Sequence, residues 1–351
     1  MNPAFRIALI ALLAGAGIAA AQPAALPCEV KDTACMLRAL QSHAARKLPT
    51  WHGTLARPLV ERVEVAPPAI VEYLRWDNAL NGYPEVPRTA QVSAAFVAEV
   101  KAALGDLPLA VNLLVADKLA GIFLVEDLGG TGYTEIVVDE AGQAVAGFIV
   151  LDAGVLQGQR ANEWATWKER SPFKPDPDWE LDARIETDAQ DSRRNAIQYI
   201  LLHELGHVLA IGNDLHPPWD RPPQEAGAPQ DFRFSRLAWR LDGNRYVSTF
   251  DEAFPLRADV VYYFGAKLPA SAMPDVYAQL RKTNFPSLYA ATRPGDDFAE
   301  SFASFVHVVL MQRPWEIVIR RGGHDVAAFK ACWDEPRCAE KRKALEALLK
   351  R

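Results

Sequence analysis

The chain has 351 residues, of which 50% are hydrophobic and 23% are charged, and its formal net charge at pH 7 is −6. This composition is ordinary for a globular protein with a substantial core, and the length suits one large domain or two lobes. An acidic chain without a basic stripe is a poor partner for nucleic acid, and no stretch after the N-terminus is long and apolar enough for a membrane span.

The first 21 residues have the pattern of a secretory signal peptide. Arg6 supplies a positive charge, residues 7–18 are apolar but too short to span a bilayer comfortably, and residues 19–21 are three alanines that offer a cleavage site before Gln22. Cleavage would remove one arginine and change the formal charge from −6 to −7. The sequence therefore predicts an exported protein, either periplasmic or secreted.

The four cysteines lie near the two ends of the chain, at Cys28, Cys35, Cys332 and Cys338. An even number of cysteines in an exported chain indicates disulfide bonds. The short spacings favour two local pairs, Cys28–Cys35 and Cys332–Cys338, and an end-to-end clasp is the alternative.

The rest of the chain predicts an α+β fold with a small mixed sheet and a mostly helical C-terminal half. Residues 22–90 are rich in proline and weakly periodic, and they form either a removable pro-segment or the first part of the domain, whose main part is 91–351. Apolar periodicity and turn residues then predict the following elements: helices at 36–47, 91–104 (ended by Gly105), 107–119 and 161–170, strands at 122–125, 133–138 and 145–151, and later helices at 189–211 and 338–351.

The helix predicted at 189–211 contains the sequence His203-Glu204-Leu205-Gly206-His207. Histidines four residues apart lie on one face of a helix, where both imidazoles can bind one Zn²⁺ at about 2.0–2.1 Å. Glu204 can then act as general base on water at the metal. The alternative is an ordinary amphipathic helix that happens to carry two histidines.

A catalytic zinc site needs a third protein ligand. The arrangement with a third histidine shortly after the motif is excluded, because this chain has Ala210 and Asn213 where that pattern needs Gly and His. His216 is a weaker candidate and is more easily interpreted as a residue at the rim of a cleft. Pro294-Gly295-Asp296 predicts a helix start, which would bring the carboxylates of Asp296 and Glu300 onto one face. Without a metal, such acidic residues would simply favour the helix N-terminus.

The motif and the later segment from Tyr289 to Phe302 together resemble the glutamate-type zincins, most closely the anthrax lethal-factor-like group. The resemblance covers these two segments and their order. It implies a zincin-like catalytic domain, with Asp296 as the third ligand, Glu300 as the outer carboxylate and Tyr289 as the tyrosine that supports the tetrahedral intermediate. This chain has Asp where the family has Glu, so either the ligand helix approaches the metal more closely or Glu300 takes over as ligand.

These patterns predict an exported metalloendopeptidase with one catalytic Zn²⁺ and a protein or peptide substrate. Glu204 would transfer the proton, and Tyr289, with or without His216, would stabilise the oxyanion. The alternatives are a zinc hydrolase of cell-wall peptides and a non-catalytic zinc-containing binding protein. Residues 145–151 are either the edge strand that pairs with substrate or a buried core strand.

Overall fold

The structure of the protein is a computed structural model that describes residues 26–263 and 265–350. The predicted signal peptide and its cleavage site lie outside the described residues. Among the described residues, the fold is mixed α/β, with several small sheets and helices distributed along the chain.

The α-helices are distributed along the whole described chain, and two of them, the eighth and the eleventh, carry the candidate site. In chain order the α-helices are: α1 (Thr33–Ser42), α2 (His52–Leu55), α3 (Pro68–Asn81), α4 (Ala94–Gly105), α5 (Leu109–Val115), α6 (Ala153–Gln157), α7 (Ala161–Arg170), α8 (Arg193–Ala210), α9 (Pro223–Ala226), α10 (Met273–Leu280), α11 (Pro294–Phe305) and α12 (Ala339–Leu349). A π-helical turn, Val306–Leu310, continues α11.

The strands form one five-stranded sheet and three smaller ones. In chain order they are: β1 (Val63–Val65), β2 (Arg88–Thr89), β3 (Leu119–Glu126), β4 (Gly132–Val138), β5 (Ala144–Asp152), β6 (Phe173–Lys174), β7 (Trp179–Arg184), β8 (Trp239–Asp242), β9 (Arg245–Ser248), β10 (Leu268–Pro269), β11 (Glu316–Arg321) and β12 (His324–Lys330).

The five-stranded sheet has the order β1-β3-β5-β4, with β2 paired to β3. Strands β1, β3 and β5 run parallel, whereas β4 and β2 are antiparallel to their neighbours. Residues 63–65, from the proline-rich N-terminal segment, therefore pair directly with β3. The mixed sheet that the sequence predicted is present, and β4 forms one of its edges.

Side chains along the strands point alternately to the two faces of the sheet, and this divides the core into two layers. Ile122 and Ile149 face one side and pack in the large cluster that contains α8, whereas Phe123 and Phe148 face the other side and pack against Trp51. Because successive side chains of a strand point to opposite faces, one sheet can bury both layers. The candidate metal-binding helix α8 thus lies against one face of the sheet.

The sequence left open whether the third predicted strand, 145–151, is an edge strand or a buried core strand, and the sheet decides between the two. The segment 145–151 lies in β5, which pairs with β3 on one side and β4 on the other. It is therefore a buried core strand and not the edge strand. The edge beside α8 belongs to β4, which the sequence predicted as a strand but did not assign to this role.

The predicted motif helix begins slightly later than expected. Residues before Ser192 form a turn, and the Ser192 side chain accepts a hydrogen bond from the backbone N–H of Asn195, which caps α8. The helix ends at Ala210, and Gly212 follows with φ of +67°, a conformation that glycine adopts without steric cost.

Helix α11 begins at Pro294, as the Pro-Gly-Asp pattern predicted. It packs against α8 at a very close point: a Cβ atom on Gly206 would lie 2.8 Å from the Cα of Ala299. The absence of a side chain at Gly206 therefore lets the two helices approach each other. The sequence did not predict the three-stranded sheet β12-β11-β7, so the C-terminal half is less exclusively helical than expected.

The two local disulfides, Cys28–Cys35 and Cys332–Cys338, are present as predicted, which excludes the end-to-end clasp. Each closes a short loop, with sequence separations of 7 and 6 residues. Within residues 26–263 and 265–350, none of the helices combines the length and apolar composition that crossing a bilayer requires.

Candidate metal centre

The two motif histidines face each other across one turn of α8. The Nε2 atoms of His203 and His207 lie 3.2 Å apart, and both side chains are largely but not completely buried. Two neutral imidazoles cannot both use these atoms as acceptors toward each other. In one pair of tautomers the two atoms form an N–H···N hydrogen bond, and with both Nε2 atoms unprotonated they are close enough to bind one cation.

Asp296 supplies the third donor from the first turn of α11. Its Oδ1 lies 3.7 Å from His207 Nε2, and the ligand atoms of His203, His207 and Asp296 all lie within 4.8 Å of one another. Its other oxygen, Oδ2, accepts hydrogen bonds from Thr292 Oγ1 (3.0 Å) and Arg293 Nε (2.7 Å). Burial raises the pKa of Asp296, but Arg293 and the histidines outweigh burial, so the pKa is lowered and the carboxylate stays ionised.

These three residues could hold a metal ion. Two nitrogen ligands at about 2.0–2.1 Å in a tetrahedral site are separated by about 3.3 Å, close to the 3.2 Å between the two Nε2 atoms. Two imidazole nitrogens and one carboxylate oxygen, with a fourth position left open, are a donor set typical of catalytic zinc. The spacing of the two Nε2 atoms and the chemistry of the donors therefore suit a metal ion.

Glu204 does not belong to the group of three, but it follows His203 directly in α8, and its charge interacts with those of His203 and Asp296. The side chain is 6% exposed, and its Oε2 accepts a hydrogen bond of 2.6 Å from Thr134 Oγ1 in the edge strand β4. A Cβ atom on Gly132 would lie 2.9 Å from Glu204 Oε1, so this glycine makes room for the carboxylate. Burial raises the pKa of Glu204, while His203 and Thr134 act in the opposite direction.

Glu300 lies one turn after Asp296 and is completely buried. Its Oε1 accepts a hydrogen bond from Lys168 Nζ and lies 3.4 Å from His203 Nδ1, while Oε2 accepts from Ser287 Oγ (3.0 Å) and Tyr199 OH (3.3 Å). Burial raises its pKa, but Lys168 and His203 outweigh burial and hold the pKa below its usual value. Glu300 thus faces the ring nitrogen of His203 that is turned away from the candidate metal position.

Tyr289 lies next to the histidines, with its ring centroid 5.5 Å from that of His203. Lys168 Nζ lies 4.5 Å from the centroid of the Tyr289 ring, a cation–π distance. Burial, followed by the charge of Asp296, raises the pKa of Tyr289 well above its usual value, so the hydroxyl keeps its proton and can donate a hydrogen bond. Tyr262 packs against the same ring, with centroids 4.7 Å apart.

His216 is 3% exposed, so it is not at the rim of a cleft as the sequence led us to expect. Its ring lies 5.8 Å from the ring of Trp219, and Nδ1 is 2.8 Å from the carbonyl oxygen of Pro217. His307 also lies outside the group of three, and its Nε2 is 2.6 Å from the carbonyl oxygen of Ile185.

Sequence reasoning missed Thr134 and Lys168, both of which contact residues of the candidate site. Thr134 is an ordinary strand residue until β4 is known to lie beside Glu204. Lys168 lies on a helix whose charged residues look like a solvated face, yet it is 5% exposed. No sequence signal distinguishes either residue, because both depend on which elements pack together.

No protein-family model, curated protein or solved structure matches this chain. The interpretation of the site therefore depends on its own residues and their geometry.

Proposed function

We propose that the protein is an exported, zinc-dependent metallopeptidase of the zincin type. The observation that carries this proposal is the convergence of His203, His207 and Asp296, together with a buried Glu204 carboxylate whose charge interacts with those of His203 and Asp296. A metal site with a purely structural role has no use for a second carboxylate that is neither a ligand nor the partner of a ligand's other ring nitrogen. The same feature favours an enzyme over the non-catalytic zinc-containing protein that the sequence left as an alternative.

His203, His207 and Asp296 would hold the ion, and Glu300 would orient His203 by accepting the proton of its Nδ1. Zinc supplies Lewis acidity, which polarises the scissile carbonyl group and makes water easier to deprotonate. Glu204 would accept a proton from the attacking water and pass it to the leaving amine. Thr134, which donates to Glu204 Oε2, would keep that carboxylate in position.

Tyr289 would complete the site from the other side of the histidines. Its hydroxyl stays protonated, so it can donate a hydrogen bond to the negative charge that develops on the carbonyl oxygen. Lys168 contacts both the Tyr289 ring and Glu300. This single cation therefore links the proposed oxyanion donor to the carboxylate behind His203.

The decisive experiment is the substitution Glu204→Gln, which removes the general base without removing a ligand. We expect the purified variant to retain one zinc per chain and to lose hydrolysis of a protein substrate and of cell-wall peptides by at least about 10²- to 10⁴-fold. Glu140→Gln, in the exposed turn after β4, is the matched control and should behave as wild type. Wild-type turnover by Glu204→Gln, or a wild-type protein that fails to bind zinc, would refute the proposal.

A further inference from the structure

Within the described residues, the outer edge of β4 is only partly paired, and the unpaired part includes Thr134, which contacts Glu204. In an antiparallel pair, alternate residues direct both backbone polar groups toward the same neighbour. Thr131 directs its carbonyl oxygen to the N–H of Asp152 at the end of β5. Thr131 therefore faces β5, and every second residue after it does the same. The residues in between, Gly132, Thr134 and Ile136, direct their backbone groups toward the outer edge.

At Ile136 both outward groups are already occupied. Its carbonyl oxygen accepts a hydrogen bond of 3.3 Å from Arg46 Nε, and its N–H donates to Glu135 Oε1 at 2.7 Å. Just beyond, Lys47 forms a parallel bridge with Val138. An extended peptide could therefore pair with Gly132 and Thr134, but the edge is closed from Ile136 onward.

Arg46 also connects this edge to the opposite side of the site. Its second guanidinium nitrogen, Nη2, lies 3.3 Å from Asp220 Oδ2, in the loop that follows α8. The preceding residue, Trp219, packs its ring 5.5 Å from the ring of His207. We call the connection Ile136–Arg46–Asp220 the Arg46 strap, because it runs from the sheet edge to the loop beside the metal ligands.

The strap is a built feature and not a chance surface contact. The Arg46 side chain is 13% exposed, and Asp220 is 25% exposed. Arg46 Nε also lies 3.6 Å from Glu135 Oε1, and the other oxygen of Glu135 accepts hydrogen bonds from the hydroxyls of Tyr73 and Tyr133. Charges that are largely removed from water and paired on several sides hold a defined geometry.

We propose that the Arg46 strap truncates the substrate groove, so that recognition of the peptide backbone stops about two residues on the N-terminal side of the cleaved bond. This inference rests on the proposed peptidase function. Glu204, which contacts Thr134, marks the reacting position, and Thr134 to Ile136 spans two residues, or about 7 Å. Strand addition to a sheet edge is more often antiparallel, which directs the N-terminal side of the substrate toward Ile136.

The test uses a peptide with one fixed cleavage site, extended one residue at a time toward its N-terminus. For the wild type, kcat/KM should rise up to the second residue and should not change with the third and fourth. In Arg46→Met the carbonyl of Ile136 becomes available while the Lys47–Val138 bridge remains. The third residue should therefore increase kcat/KM by about 2- to 12-fold, the effect of one net hydrogen bond, and the fourth residue should add nothing further. Asp220→Asn weakens the strap less, so its kcat/KM should rise by a smaller factor when the peptide is extended in the same way.

Asp214→Asn is the matched control, because Asp214 pairs with Arg233 (2.9 Å) in the same loop but not with Arg46. As in the wild type, kcat/KM of this variant should not change with the third and fourth residues. The inference is overturned if kcat/KM of the wild type continues to rise with the third and fourth residues, or if the strap variants show no rise. Either result would leave Glu204-dependent hydrolysis intact. If the wild type hydrolyses none of the peptides, the proposed function itself fails, and this inference fails with it.

Discussion

The substitution Gly206→Ala tests whether the close approach of α8 and α11 builds the metal site. The added Cβ would lie 2.8 Å from the Cα, 3.2 Å from the carbonyl oxygen and 3.3 Å from the Cβ of Ala299. These are mostly backbone atoms of α11, which cannot rotate away as a flexible side chain can. To restore an ordinary separation near 3.5 Å, the helices must move apart by roughly 0.7 Å.

Such a displacement affects metal binding because His203 and His207 lie on α8 whereas Asp296 lies on α11. Overpacking a tight contact costs about 1–3 kcal/mol, against which alanine regains up to about 1 kcal/mol of helix propensity. We therefore expect a net loss of stability of about 0–3 kcal/mol. Because ligand distances in a metal site tolerate only about 0.2 Å, we expect zinc affinity to fall by at least about 10-fold.

The assay compares zinc affinity, measured by competition with a chromophoric chelator, with unfolding in denaturant for the apo and zinc-loaded protein. Gly53→Ala is the matched control, since Gly53 lies in α2 and a Cβ atom added there would have nothing within 4 Å. It should leave zinc affinity unchanged. Wild-type zinc affinity in Gly206→Ala, with an unchanged midpoint of unfolding, would show that the contact between α8 and α11 does not set the ligand geometry.

Two further predictions concern the acidic residues. Asp296→Ala should be purified nearly free of zinc, whereas Glu300→Gln should keep zinc with activity reduced by about 10- to 100-fold; metal analysis after dialysis would contradict this assignment if Glu300→Gln were the empty variant. Burial, followed by the nearby Glu135, raises the pKa of Asp77 to about 7. The stability that this raised pKa provides is complete below about pH 4 and is lost as the pH rises through about 7. In denaturant titrations, the free energy of unfolding of Asp77→Asn should therefore increase relative to that of the wild type over this range, and a constant difference would contradict the prediction.

The fold was predictable where local patterns determine it. The alternation of apolar residues located β4 and β5, and Pro294 located the start of α11. Strand order was not predictable, because it depends on which strands pair and not on the pattern within one strand. For that reason the sequence could not decide between edge and core for 145–151, and it gave no indication that β11 and β12 would join β7.

The candidate site was also predictable only where local sequence spacing determines it. The spacing of His203, Glu204 and His207 along one helix was enough to bring the two imidazoles together. The choice between Asp296 and Glu300 was not contained in the spacing, since both residues lie on one face of α11. It depends on what each carboxylate meets in three dimensions, which is set by elements distant in sequence.

Helix α11 carries three buried carboxylates, and two of them are fully engaged by protein donors. Asp297 accepts hydrogen bonds from Lys341 of α12 and, at its other oxygen, from Trp239 (2.9 Å). Glu300 accepts from Lys168 of α7 at one oxygen, and from Ser287 and Tyr199 at the other. A buried carboxylate with a cation and further donors at both oxygens is stabilised as an anion and has little remaining capacity to bind an ion.

Asp296 differs from the other two acids in how its partners are distributed. In the described chain its hydrogen-bond donors, Thr292 and Arg293, both bind Oδ2, which leaves Oδ1 facing His207. This one-sided arrangement keeps the carboxylate ionised and fixes its orientation while one oxygen remains directed at the two imidazoles. If Asp296 is the third ligand, as proposed, its shorter side chain would suffice because Gly206, which lies between the two histidines in sequence, allows α11 to approach α8 so closely. We therefore propose that the same glycine allows an aspartate to serve at the position where the zincins that the motifs resemble have a glutamate.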